Sequence, residues 1–393
     1  MLLEFIFFLL AGIFFGTFTG LTPGIHINLI GGLLISLPLL NLNPIYFVIF
    51  VTAMAITHTF LDFVPSVFLG CPDTDTELSI LPGHQLLKDA RGFEAVYLSN
   101  IGSLLAIFLL VIISIPSIFL MKDFYELISS VIPYILILVL IIVIFTEKNK
   151  INSLIVFLLT GFLGYSLLTL EINQPLLPLL TGLFGSSNIL LSIKNKTKIP
   201  PQKITKPKIN LKKPIFGAIL SAPLCSFLPG VGSGQAAVIG NTIIKQDQKE
   251  FLVLLGIINT LVMGFSFISL YAIGKTRTGA AATIQQFLGE ISSSEIILIL
   301  ITVIISGLIA FKLTNFFGKK ISEKIEKINY EKTSYAILVI LLIVVFLVSG
   351  FMGILILIAS TFTGIYCISL NVKRTNMMGS LILPTILFYF GLG

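Results

Sequence analysis

The stretches TGLTPGIHIN (19–28) and CSFLPGVGSG (225–234) each set a Pro-Gly pair inside an apolar run otherwise long enough to span a bilayer. They lie about half a chain apart. A proline removes a backbone donor and a glycine admits dihedrals closed to other residues, so each pair stops a helix within the membrane and strands terminal N–H and C=O groups. Lipid cannot satisfy those groups, whereas a cavity holding water or a solute can. A single break reads equally well as a Pro kink. Two matched breaks, each followed by polar residues, point to a substrate or ion site.

The rest of the composition agrees with a membrane chain: 56% of the 393 residues are apolar and 11% are charged. The runs of Leu, Ile, Val and Phe are apolar all round, which predicts lipid-embedded helices and excludes the alternating strands of a barrel. Residues 5–21 read as a helix rather than a secretory signal, because Glu4 stands where a basic segment belongs. Cys71, Cys225 and Cys367 have neither disulfide nor metal-knuckle spacing. The net charge of +7 does not imply nucleic acid, since eight lysines and no acid fall in KNKTKIPPQKITKPKINLKK (194–213), a cytoplasmic topology signal. Only three arginines occur against 22 lysines.

That basic, proline-rich stretch divides the chain into a membrane repeat at 1–193, a linker at 194–213 and a second repeat at 214–393. TGFLGYSLLTLEINQP (160–175) lies over STFTGIYCISLNVKRTN (360–376), with Gly164 over Gly364. HTFLDFVPSVFLGCPDTDT (58–76) lies over GFSFISLYAIGKTRTGA (264–280), with Gly70 over Gly274. Placing the linker inside puts HQLLKDARG (84–92) and EKNK (147–150) inside, and the loops KDFYE (122–126) and EINQ (171–174) outside. In the second half KKISEKIEKINYEK (319–332) and NVKR (371–374) fall inside and GEISSSE (289–295) outside, so equivalent loops face opposite ways. The expected fold is an all-α polytopic membrane protein of two inverted-topology repeats, with about ten full spans. Two re-entrant hairpins carry the Pro-Gly tips, and both termini lie outside a prokaryotic plasma membrane.

The candidate chemistry gathers at the breaks. His26 and Asn28 follow Pro23 and Gly24; Gly232, Ser233, Gly234 and Gln235 follow Pro229 and Gly230. Small residues let backbone approach a ligand, and a helix N-terminus offers N–H groups to an anion; the same residues also serve close helix packing. Beyond Gly70 come Asp73, Asp75 and Glu77, and beyond Gly274 come Lys275, Arg277 and Thr278. Either these are solvated loops pairing weakly, or Arg277 and Lys275 clamp a carboxylate or phosphate while the acidic loop serves a cation. Asp62 is the acid set within an apolar span, with His58 one turn before it. The pair reads as a Na+ or proton coupling site or as a packing hydrogen bond. His84, beside Lys88 and Arg91, and Arg374 read as inner surface residues. No nucleophile, phosphate-loop or metal motif appears, so no cofactor and no enzyme activity are expected.

At these residues the sequence resembles the large permease subunit of the tripartite tricarboxylate transporters, the TctA-like family. The resemblance runs through GTFTGLTPG (16–24), LPGHQLLKDARGFEA (81–95), TGLFGSSNIL (181–190), SFLPGVGSGQAA (226–237) and INT (258–260). It implies inverted halves whose Pro-Gly loops line a carboxylate site, cation coupling, a small membrane subunit and a solute-binding protein. Residue by residue it assigns substrate contact to Pro23, Gly24, Pro229, Gly230 and Asn259. The chain is shorter than such a resemblance leads one to expect, and its second breaks carry charge where the family tends to have a further Pro-Gly. The reading is therefore a cation-coupled, alternating-access transporter of a small organic anion, a di- or tricarboxylate; the alternative is a translocase of an anionic lipid carrier such as polyprenyl phosphate.

Overall fold

The computed structural model describes residues 2–22, 27, 43–70, 76–145, 147–170, 172, 174–194, 199–227, 232–327 and 330–392. No strand occurs among them. In chain order the helices are α1 (Leu2–Leu21), α2 (Pro44–Leu61), α3 (Phe63–Leu69), α4 (Ile80–Lys88), α5 (Gly92–Phe145), α6 (Lys150–Leu168) and α7 (Leu176–Leu180). A π-helical turn (Thr181–Ser186) leads into α8 (Ser187–Lys194). The second half has α9 (Lys212–Phe227), α10 (Ser233–Ile243), α11 (Gln248–Ile273), α12 (Gly279–Leu288), α13 (Ser293–Lys324), α14 (Tyr330–Ser369) and α15 (Gly379–Tyr389).

Local sequence explains the starts. Asn43 accepts from the Ile45 N–H and is followed by Pro44, which suits the first helical position. Asp247 with Glu250, and Ser292 with Glu295, form reciprocal capping boxes at α11 and α13. Eight stretches among the described residues are long and apolar enough to cross a bilayer, against the expected ten or so. Pro133–Phe145 and α15 are too short to be counted with them. KDFYE is not a loop: α-helical backbone runs through it, as suits a segment without Gly, Pro or Asn. Conversely α14 is broken at Gly350, whose φ of 65° and ψ of −161° are open to glycine alone.

α2 and α11, one from each half, are buried almost throughout, while the other long helices show apolar faces with exposed residues such as Phe14, Ile112, Leu347 and Phe362. Helices apolar all round that are packed on every side form the centre; those with bare Phe and Leu form the lipid-facing shell. α1 lies along α2, where Gly12, Gly16 and Gly20 meet the carbonyls of Phe50, Met54 and His58. α9 lies along α11. Other extensive contacts join the halves: α2 packs on α13, and α5 on α11 through Ser99 against Gly256 and Gly102 against Val253. α6 meets α15 with Gly164 on Ser380 and Gly379 on Phe157 and Thr160; α14 meets the π turn with Gly364 on Leu183 and Gly182 on Leu357 and Ser360. The two sets of contacts repeat one pattern.

Close glycine contacts substitute for hydrophobic drive between helices in lipid. A methyl added at Gly256 or Gly164 would overlap a backbone carbonyl oxygen of the facing helix. Gly256→Ala and Gly164→Ala are each expected to cost about 1–3 kcal/mol, read as a lowered melting temperature in detergent. An unchanged melting temperature would mean that the helices do not meet at these faces.

Directions follow from the contacts. Along α5 and α13, Val96 faces Gly318, Asn100 donates to the Phe311 carbonyl at 2.9 Å and Ile107 faces Gly307, so the helices run antiparallel. α2 and α11 meet through Thr59 with Thr260 and Asp62 with Asn259. One end of the bundle holds the linker, where Gln202 bridges Gly92 and Leu87, Lys203 donates to Ala90, and Lys249 pairs with the buried Glu94. Lys373 pairs with Glu147 in the loop before α6. Elsewhere Ser349 donates to the Gln174 carbonyl at 3.5 Å and Tyr165 to that of Leu392 at 3.1 Å.

Candidate substrate and coupling site

Pro65 explains why the helical hydrogen bonding loosens at Asp62, although the backbone stays helical there. It has no N–H for the Leu61 carbonyl, and the Ser66 N–H reaches the Asp62 carbonyl only at 3.4 Å. The Ser66 hydroxyl compensates with a 2.8 Å bond to the same oxygen. The carboxylate thus lies at the weakened turn between α2 and α3, where Asp62 is 2% exposed. Asn259 Nδ2 donates to its Oδ2 at 2.8 Å and to the Thr59 carbonyl at 3.3 Å. Beside them the Thr59 and Thr260 hydroxyls pair at 3.1 Å. Two residues singled out separately from the sequence, Asp62 and Asn259, therefore meet across the two halves.

His58, one turn before Asp62, has its Nδ1 3.0 Å from the Thr19 hydroxyl on α1. Gly20 packs against the His58 carbonyl, Leu61 and the Asp62 N–H. The C-terminal end of α1 therefore lies at the level of Asp62. Pro23, Gly24, His26 and Asn28 lie outside the described residues, as do Pro229, Gly230, Asp73 and Asp75. At the second tip Ser233 and Gln235 are buried, and Gln235 Oε1 accepts from the Gly232 N–H at 2.9 Å, closing the first turn of α10.

The second breaks repeat each other in detail. Gly70 ends α3 with φ 69° and ψ 23°, and Gly274 ends α11 with φ 64° and ψ 19°, the left-handed region that glycine enters without strain. Ser66 joins Thr76 across the first break at 2.7 Å, and Ser266 joins Thr278 across the second at 2.8 Å. Thr278 also caps α12 by accepting from Ala281. Lys275 is exposed and Arg277 half-buried on this loop. Ser266 lies two turns along α11 from Asn259, about 10 Å by helix rise.

Two readings of surface residues need correction. Arg374 is not a free loop charge: its Nη2 donates to Asn188 Oδ1 at 3.0 Å, and burial lowers its pKa to about 10. His84 is half-buried with its Nε2 covered, its pKa pushed down to about 3 by burial and then by the charges of Arg374 and Lys88. Loop position and neighbouring lysines suggested solvent; tertiary packing on α8 decides otherwise. Thr19, Thr59, Thr260 and Asn188 were not singled out as site residues, although INT and TGLFGSSNIL contained two of them.

A helical bundle with buried charge at broken helices is the build of a multi-pass membrane transporter. The chain belongs to the tripartite tricarboxylate transporter TctA family, whose model matches residues 6–379. It is similar to an uncharacterised protein of Methanocaldococcus jannaschii, 33% identical over 97% of this chain and 98% of the relative. No solved structure matches. The family is one of transporters rather than enzymes, and gives the chain a role in transport as a component of such a system.

Proposed function

We propose that the protein is a secondary transporter of a small organic anion, a di- or tricarboxylate, driven by Na+ or protons through alternating access of two inverted repeats. The observation that carries this reading is the Asp62–Asn259 hydrogen bond, which ties the coupling carboxylate of one half to the substrate-contact residue of the other. A cation arriving at Asp62 changes the charge that Asn259 faces, and Asn259 can answer by reorienting toward a substrate carboxylate. The antiparallel course of α5 and α13, and the repeated contacts of Gly164 with Ser380 and Gly364 with Leu183, support the inversion. The tips at 23–28 and 229–235 supply N–H groups, and Arg277 with Lys275 the positive charge, for the anion. A prokaryotic plasma membrane, outward termini, a small membrane subunit and a solute-binding protein complete the reading; no resident cofactor is required.

The test is uptake of radiolabelled citrate and succinate by proteoliposomes under an imposed Na+ or pH gradient. Gradient-dependent accumulation above protein-free vesicles is expected. Passage of a short-chain polyprenyl phosphate with no carboxylate uptake would replace this reading by the lipid-carrier alternative.

A further inference from the structure

The side-chain nitrogens of His84 and Asn188 converge on Gly70, with Arg374 bonded to Asn188, and the proposed coupling site uses none of the three. A Cβ at Gly70 would lie 2.5 Å from His84 Nε2 and 2.8 Å from Asn188 Nδ2, so only glycine leaves both nitrogens accessible at that point. Its φ of 69° favours the same residue. Asn188 Oδ1 is occupied by Arg374, which leaves its NH2 to face Gly70. His84 Nε2 and Arg374 Nη1 are both buried without a hydrogen-bond partner.

Among the described residues no carboxylate pairs with Arg374. A half-buried guanidinium with a covered, unpartnered Nη1 and one neutral acceptor is costly, and a ligand that brings negative charge offsets that cost. Two features of the backbone bring the donors together. The π turn at Thr181–Ser186 sets the face that α8 presents, an irregularity common at functional sites. The turn Arg374–Met378 packs beside α10, the helix that follows the second Pro-Gly tip. His84 arrives on α4, whose far end is tied to the linker through Leu87.

We propose that Arg374, Asn188 and His84 bind an oxyanion, a carboxylate or phosphate monoester, at the end of the bundle that carries the basic linker. The choice of ligand class rests on the anion-transport reading; the convergence of donors does not. The site gives the anion a second station, with an arginine fork where Arg277 and the tips supply the first.

The experiment is thermal unfolding of the purified protein in detergent with citrate, inorganic phosphate or farnesyl phosphate, each against chloride at equal ionic strength. A bound anion raises the melting temperature in proportion to its occupancy. Citrate or phosphate is expected to stabilise the wild type. Arg374→Gln should require on the order of a hundredfold more anion for half the effect, and Arg374→Lys should recover part of the loss. Should Arg374→Gln not fold, Arg374→Lys and His84→Phe carry the comparison. A response to farnesyl phosphate alone, lost in the same variants, would identify a lipid headgroup as the source of the oxyanion. An equal response in wild type and variants, or none in the wild type, overturns the site. If uptake of citrate nevertheless persists, the transport reading stands without it; a site present without uptake gives the converse.

Discussion

Replacing Asp62 with Asn is expected to reduce the accumulation ratio of a transported carboxylate to about one while leaving exchange across the membrane measurable. The substitution keeps the volume, and its amide oxygen can still accept from Asn259, so the 2.8 Å contact between the halves has a replacement. What it removes is the charge. A carboxylate buried in a membrane interior is expensive to keep, and Na+ or a proton is the natural counter-charge. Without it the gradient has nothing to act on, and the substrate can only equilibrate. Asn259→Ala should weaken both functions, since it leaves Asp62 and the Thr59 carbonyl without that donor. Accumulation by Asp62→Asn at the wild-type level would return the group to helix packing.

Arg277→Ala is expected to weaken anion binding by on the order of a hundredfold, because a fork closing on a carboxylate in a half-dehydrated site is worth several times an exposed pair. Arg277→Lys should recover only part, as one ammonium does not reproduce two parallel N–H bonds. The control must be a charge that is solvated. Lys319 serves: its side chain is 57% exposed, and it stands 3.8 Å from Glu323 on the same helix face. Lys319→Ala should leave affinity within about threefold. Equal behaviour of the two alanine variants would make Arg277 a surface residue and leave the anion to the Pro-Gly tips. Arg374, by loop position an equally natural control, is unsuitable because it is half-buried and bonded to Asn188.

The helical membrane character was legible because it depends on composition over long windows, which no single contact can overturn. The breaks at Gly70 and Gly274 were legible for a local reason: each glycine adopts a left-handed conformation that ends a helix. KDFYE misled, because charge reads as a loop while nothing in the segment stops a helix. The break that does divide an apolar run, at Gly350, carries no charge at all. Asp62 and Asn259 each stood out from the sequence, one by burial of an acid and the other by resemblance. Their meeting did not, since residues 197 positions apart are joined only by the packing of α2 against α11. Thr59 carries no sequence signal and Thr260 only its place in INT, as a threonine within a membrane helix more often bonds its own backbone, as Thr160 does with Val156. Arg374 and His84 were misplaced because sequence reports charge and neighbours, whereas their surroundings come from α8 and the turn before α15.

Coupling at Asp62 and an anion clamp shared between the halves both require that the halves face opposite ways. Single cysteines placed in a background free of Cys71, Cys225 and Cys367 test this with a membrane-impermeant thiol reagent applied to intact cells. Residues 172 and 292 should be labelled from outside, and 200, 325 and 372 only after the membrane is opened. Labelling of 172 and 372 from the same face would contradict the inverted arrangement and, with it, the shared site.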